Sequence, residues 1–361
     1  MNSRDNFFFA IDWGLLAPSL ILVALSLTTL ASVNLILFKS QLIYFFISIS
    51  IFLLFCQINY RVLEFYTLPI YLFSVIILLF VLVIGIESRG AVRWFDILGL
   101  RIQFSEILKP FLAISFSSFL SQRSQSIETF GIVFLLAFPI VLLIALQPDL
   151  GNSIVYLLSM ILTLVIVGFS LAWFSIGVLG IAILSPILWK FMHEYQKQRI
   201  ISFIHPSNDP LGLSYNAIQA VIAVGSGGFL GKGLGEGTQS SLFFLPERHT
   251  DFIFATLSEG LGLLGASLVI IAFAFLLYRI YVIFSESDDL FIRIFTSISF
   301  VLILFQMFVN IGMNIGIIPI VGIALPFVSY GGSSLLSNFI LLGMLSSVAR
   351  VGKDRGVLEI K

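Results

Sequence analysis

Residues 294–349 read IFTSISFVLILFQMFVNIGMNIGIIPIVGIALPFVSYGGSSLLSNFILLGMLSSVA, with no Asp, Glu, Lys or Arg among them. A membrane-spanning helix needs about 20 consecutive apolar residues. The run therefore holds two spans. Pro319, Pro326 and Gly331–Gly332 place an irregular, re-entrant-like segment between them. Working outward, the charge-free intervals 13–38, 40–60, 65–86 and 129–148 each suit one helix. Residues 150–189 suit two that meet near Gly168–Ala172, and residues 260–278 hold one that extends at both ends. Residues 107–122 are short and suit a span if Lys109 snorkels to the interface. The total is about ten helices, so both termini lie on one side. The expected fold class is all-α: a polytopic integral membrane protein, residues 1–361 forming a single transmembrane domain.

Composition points the same way. Hydrophobic residues make up 59% of the chain and charged residues 11%, against about 25% charged in a soluble domain. So few charges cannot cover a water-facing surface. Nineteen Lys+Arg balance nineteen Asp+Glu, and no basic surplus argues for a nucleic-acid partner. The one cysteine, Cys56, sits in an apolar run and excludes an internal disulfide. The start, MNSRDNFFFAIDWG, lacks the order of a cleaved signal. Trp13 suits an interfacial anchor, and the Lys/Arg balance outside long loops favours termini on the cytoplasmic side.

With this many spans, the informative polar segments fall on one face. They are residues 87–106, 147–151, 190–251 (the large loop between spans seven and eight) and 317–334. The opposite face carries short connectors such as SQRSQSIE and ESDDLFIR. Loops gathered on one face can converge on a common site. Residues 216–231 are apolar, small and glycine-rich, and suit a re-entrant or interfacial helix inside the large loop. GSGGFLGKG is not a P-loop: Ser226 stands where the first Gly is needed and Gly233 where Ser or Thr is needed. Its glycines instead suit close backbone approach. His193, His205 and His249 lack the spacing of a helical zinc site.

The ordered motifs RGAVRW (89–94), FSEILKP (104–110), QPDLG (147–151), GSGGFLGKG (225–233), LPERHTDFIFA (245–255) and LPFVSYGGSS (325–334) resemble the SEDS family of shape, elongation, division and sporulation proteins. The resemblance runs from about Trp13 to Arg350. Gly237–Ser240 and Arg248 follow the family's RodA pattern more than its FtsW pattern. Ser258-Glu259-Gly260 departs from the usual Glu-Glu pair, and Asn216 stands where Gln is common. The resemblance implies a multi-pass protein of the bacterial cytoplasmic (inner) membrane with cytoplasmic termini. It implies peptidoglycan glycosyltransferase activity on lipid II at the outer face, during cell elongation. The implied partners are the nascent glycan strand, a class B penicillin-binding transpeptidase, the elongation machinery and membrane lipids.

That chemistry needs a base for the acceptor hydroxyl and positive charge for the diphosphate leaving group. Asp251 matches the family's acid and is the expected base; a helix cap at Thr250 or Asp251 is compatible with it. Arg89, Arg93, Lys232 and Arg248 suit the diphosphate, or interfacial anchoring. Trp94 suits sugar stacking or a belt aromatic. Glu106, Asp149 and Glu247 are supporting acids that could hold a divalent cation, Mg or Mn, on the phosphates; Asp149 after Pro148 also suits a turn. A lipid II flippase is the alternative function. It would place ionisable groups at mid-membrane, where the sequence offers mainly Glu259. A pure scaffold would leave the loop motifs without work.

Overall fold

The computed structural model of the chain describes residues 11–88, 91–97, 100–191, 194–204, 213–242 and 244–358. The first helices are α1 (Trp13–Val33), α2 (Leu35–Gln57), α3 (Tyr60–Phe65) and α4 (Thr67–Ile84). A small sheet follows, β1 (Ile86–Ser88), β2 (Ala91–Ile97) and β3 (Leu100–Ile102). Then come α5 (Phe104–Ser121), α6 (Ile127–Leu146), α7 (Leu150–Val167) and α8 (Leu171–Phe191). The large loop holds α9 (Glu194–Ile204), α10 (Leu213–Ser226) and α11 (Thr238–Ser241). The chain ends with α12 (Ile253–Ser285), α13 (Leu290–Asn314) and α14 (Gly332–Leu358).

Every interval read as a span holds a helix. Among the described residues α1, α2, α4, α6, α7, α12, α13 and α14 are long and apolar enough to cross a membrane. The chain is a multi-pass membrane protein. α5 has the length of a span but carries Glu106 and Lys109. Lys109 does not snorkel: it is 4% exposed and pairs with Glu106, one turn back, at 2.7 Å. The buried partner removes the need to reach water. α7 ends at Gly168, whose φ of 98° turns the chain into α8. α8 is exposed along most of its described length, with Trp173 and Phe174 touching Phe130 at 5.4 and 5.2 Å.

The centre is built by α13 and α14, which pack on α5, α7 and α2, while α1 packs on α12. The N-terminal end of α1 is tied to the far half of α12. Asp12 caps α1 through Gly14 N–H at 3.0 Å and receives a two-pronged ion pair from Arg279, with Nη2 to Oδ2 at 2.6 Å. Residue 279 lies about 40 Å along the chain from residue 251 at helical rise. The pair thus fastens the start of α1 to the part of α12 that follows the break at Gly262.

Three features depart from a purely helical reading. First, residues 86–88, 91–97 and 100–102 form a three-stranded antiparallel sheet in the order β1-β2-β3. The alternation in VRWFD explains it, since successive side chains of a strand face opposite ways. Phe95 stacks on Phe80 of α4 at 5.6 Å and meets Phe104 of α5 at 6.0 Å, which roots the sheet on the bundle. Second, α12 breaks at Gly262 (φ 67°, ψ −160°). The groups freed by the break pair with the glycine loop. Lys232 and Gly233 N–H donate to the carbonyls of Glu259 and Gly260 at 3.0 and 3.1 Å, and Leu263 N–H donates to Gly228 O at 2.9 Å. Third, residues 315–331 have no regular structure, as the prolines and glycines predict. The helix expected within 216–231 is present as α10, ending at Ser226.

The glycine loop lies backbone against backbone on α12. A Cβ at Gly227 would stand 2.0 Å from Ser258 O, whereas one at Gly225 would meet nothing within 4 Å. Gly227→Ala should therefore destabilise the protein by about 3 kcal/mol. Gly225→Ala, inside α10, should be neutral or stabilising by about 0.5–1 kcal/mol. Thermal unfolding of both variants in detergent compares them directly.

Candidate functional site

Asp251 stands in the turn that leads into α12, half-buried. The turn backbone is held carbonyl by carbonyl. Arg248 O accepts from Thr256 Oγ1 at 2.9 Å, and His249 O from Tyr330 N–H at 2.9 Å. Thr250 O accepts from Ser329 Oγ at 2.8 Å. Asp251 O accepts from two buried amides of α13, Asn310 Nδ2 at 3.1 Å and Asn314 Nδ2 at 3.0 Å. Asn314 Oδ1 also takes the N–H of Ala255 in the first turn of α12, at 3.1 Å. The N-cap position itself falls on Phe252, which gives no side-chain hydrogen bond. A side chain from α13 thus does the work the sequence assigned to a cap at Thr250 or Asp251.

The carboxylate of Asp251 lies against the irregular segment. A Cβ at Gly322, where φ is 76°, would be 3.5 Å from Oδ2. Asn310 Nδ2 donates to Ile323 O at 2.8 Å as well as to Asp251 O, so one amide joins the turn to this segment. Glu247 (φ 52°) sits in the same turn and accepts Thr250 Oγ1 at 3.0 Å on its Oε2.

The same segment reaches the second polar cluster. A Cβ at Gly151 of α7 would stand 3.2 Å from Val321 O. Asp149, 3% exposed, caps α7 through Asn152 N–H at 3.2 Å and accepts Gln103 Nε2 at 2.6 Å and Asn152 Nδ2 at 2.9 Å. Arg93 approaches it at 3.7 Å and lies 5.9 Å from the Trp94 ring. Arg93 and Phe95 share the bundle-facing side of β2, and strand alternation turns Trp94 the other way. The Nε of Arg93 is buried without a hydrogen-bond partner. Glu106 is committed to Lys109, and its carbonyl accepts Ser337 Oγ of α14 at 2.6 Å.

Arg248 is 9% exposed and donates from Nη1 to Ser240 O. Burial lowers its pKa from the ordinary arginine value, yet a guanidinium so placed keeps its charge. Lys232 is held by Glu259 at 3.2 Å, Ser226 Oγ at 2.8 Å and Thr238 Oγ1 at 3.1 Å. Arg89 lies outside the described residues. The supporting acids do not form a cage. No three Asp, Glu, His or Cys side chains come together to hold a metal among the described residues, and Asp149 and Glu106 are taken up by neutralising partners. A cation there would rely on phosphate oxygens for most of its ligands.

So Asp251, Glu247 and Arg248 share one turn, Arg93 and Asp149 share a second cluster, and the 321–323 strip joins the two. Asn310, Asn314, Ser329 and Gln103 complete the arrangement and were not singled out in the sequence. The only signal for the two asparagines was their spacing of four on an otherwise apolar run, which puts both on one helix face.

The family model of FtsW, RodA and SpoVE, described as cell cycle proteins, matches residues 6–354. The chain belongs to this family. Among relatives, it is 42% identical to the peptidoglycan glycosyltransferase MrdB of Escherichia coli K12 over 295 residues, covering 81% of this chain and 80% of that one. It is 36% identical to the stage V sporulation protein E of Bacillus subtilis, covering 78% and 77%. Among solved structures, it matches a chain of a peptidoglycan synthase complex that coordinates polymerization and crosslinking, with TM-score 0.82, 29% identity and 96% and 98% coverage. It also matches the rod shape determining protein RodA of Thermus thermophilus, with TM-score 0.72, 26% identity and 95% and 97% coverage. These FtsW/RodA/SpoVE likenesses span nearly the whole chain, as the motif order implied.

Replacing Asn314 with Leu would strip Ala255 N–H of its partner and Asp251 O of one of two. Leaving buried polar groups unpaired costs about 1–3 kcal/mol each. Asn314→Leu should lower the thermal midpoint and loosen the 249–252 turn, read as faster amide hydrogen exchange confined to that turn and the start of α12.

Proposed function

We propose that the chain is a peptidoglycan glycosyltransferase that polymerises lipid II into glycan strands at the outer face of the bacterial cytoplasmic membrane. The observation that carries this reading is the Asp251 carboxylate, half-buried on the turn that leads into the apolar helix α12, with the turn's carbonyls held by α12, α13 and the 323–331 segment. Both substrates are amphipathic lipid diphosphates. A site where polar loops meet apolar helix ends suits them.

Asp251 takes the proton from the acceptor sugar hydroxyl as its oxygen attacks the anomeric carbon of the donor. The bond from that carbon to the diphosphate breaks, and polyprenyl diphosphate leaves with the electron pair. A carboxylate within hydrogen-bond reach of the hydroxyl can serve as the base for this step. Arg248 and Arg93 supply positive charge for the leaving diphosphate; the unpartnered Nε of Arg93 supports that role. Trp94, on the other face of β2, is placed to meet a sugar or the lipid boundary. A Mg2+ or Mn2+ ion bound through the phosphates would add to the same charge stabilisation.

The likeness to MrdB and RodA supports a role in cell elongation, alongside a class B penicillin-binding transpeptidase that cross-links the product. On this reading both termini are cytoplasmic, as the Lys/Arg balance outside the long loops supports.

The test is polymerisation of purified lipid II by the full-length chain, with and without its transpeptidase partner. Asp251→Asn should lose at least about a hundredfold in polymer yield, the scale of a removed general base. Arg93→Gln should raise KM for lipid II. Wild-type polymer yield from folded Asp251→Asn protein would end the assignment. Lipid II translocation by the wild type without polymer would restore the flippase reading.

A further inference from the structure

The buried acid Glu259 has no part in the steps above. It is 0% exposed, roughly two turns into α12, where an isolated charge would be prohibitively costly. Five donors converge on it. Oε1 accepts Gln239 N–H at 2.9 Å, Lys232 Nζ at 3.2 Å and Thr238 Oγ1 at 3.3 Å. Oε2 accepts Ser240 Oγ at 2.9 Å and Ser240 N–H at 3.0 Å. Apart from Lys232, all of them come from the short stretch 238–240. Gly237 is required beside it: a Cβ there would stand 2.4 Å from Oε2. The carbonyl of Ser240 then receives the Arg248 guanidinium, three residues before Asp251. The path runs from the carboxylate, through one residue's backbone, to the cation.

We propose that Glu259 is a positioning residue that, with Lys232 as its counter-charge, holds the 238–240 turn so that Ser240 O aims the Arg248 guanidinium at the diphosphate of the lipid substrate. This rests on the reading of Arg248 as a diphosphate contact. It also reassigns Lys232: its ammonium serves Glu259. A carboxylate is needed because every group facing it donates. Glutamine keeps the shape but turns an N–H2 group toward donors, leaving the turn unheld and Lys232 without its anion.

The test is a double-mutant cycle on the full-length chain with lipid II. Glu259→Gln should raise KM about tenfold, the scale of one lost charge-assisted hydrogen bond, with kcat within about threefold of wild type. Arg248→Gln should raise KM at least as far. If Glu259 acts through Arg248, the double variant will have a KM no higher than Arg248→Gln alone. Changes that multiply in the double variant, or a Glu259→Gln protein with wild-type KM, overturn the proposal. Should Glu259→Gln fail to fold, Gly237→Ala takes its place, since the added methyl displaces the carboxylate without removing its charge. A wild-type KM for Arg248→Gln, with Asp251→Asn still inactive, would strike the diphosphate reading of Arg248 itself and overturn the proposal at its base.

Discussion

In hydrocarbon a backbone N–H or C=O has no water to bond, so irregular backbone survives at membrane depth only where protein groups satisfy it. Residues 315–331 set this problem most sharply. The answer comes from isolated polar side chains on otherwise apolar helices. Ser26 of α1 donates to Val328 O at 2.6 Å. Gln41 of α2 accepts Gly331 N–H at 3.2 Å. Asn310 of α13 bonds Ile323 O. Ser329 Oγ accepts Leu325 N–H at 2.8 Å while donating to Thr250 O. Two of these groups, Asn310 and Ser329, also hold the Asp251 turn. Stability and site geometry therefore rest on the same hydrogen bonds.

The glycine loop meets the same constraint in another way. Backbone meets backbone where Gly227 and Gly231 lie on α12. The loop's own N–H and C=O groups pair with those left open by the break at Gly262. Such contact is possible only without Cβ atoms, which explains why this stretch resembles a phosphate loop in composition while serving as a backbone splice.

Charge is managed with similar economy. Glu106 with Lys109, Glu259 with Lys232 and Asp12 with Arg279 are paired, and Asp149 is wrapped by amide and amide-bearing donors. Among the described residues, ionisable groups packed into the bundle are thus more numerous than a reading limited to Glu259 suggests. Each described pair is neutral within itself, so these groups act as fasteners between elements. Asp251 differs in being half-exposed, beside a glycine that leaves room at its carboxylate.

Composition and the lengths of charge-free runs by themselves determined that this is a multi-pass helical protein, because only helices of about 20 residues satisfy their backbone inside lipid. Ordered motifs determined the family and put Asp251 and the basic residues forward, because polar residues are scarce enough here for each to stand out. The three-stranded sheet escaped notice because its strands are three to seven residues long and sit in what reads as a polar loop. Only the tertiary structure decided which charges are held by a carboxylate and which by a backbone carbonyl. Lys232 and Arg248 look alike in sequence, yet one is anchored by a carboxylate 27 residues away and the other by a carbonyl eight residues away. Those distances along the chain carry no local signal. Partners of this kind are set by how helices pack, and no periodicity or propensity encodes that.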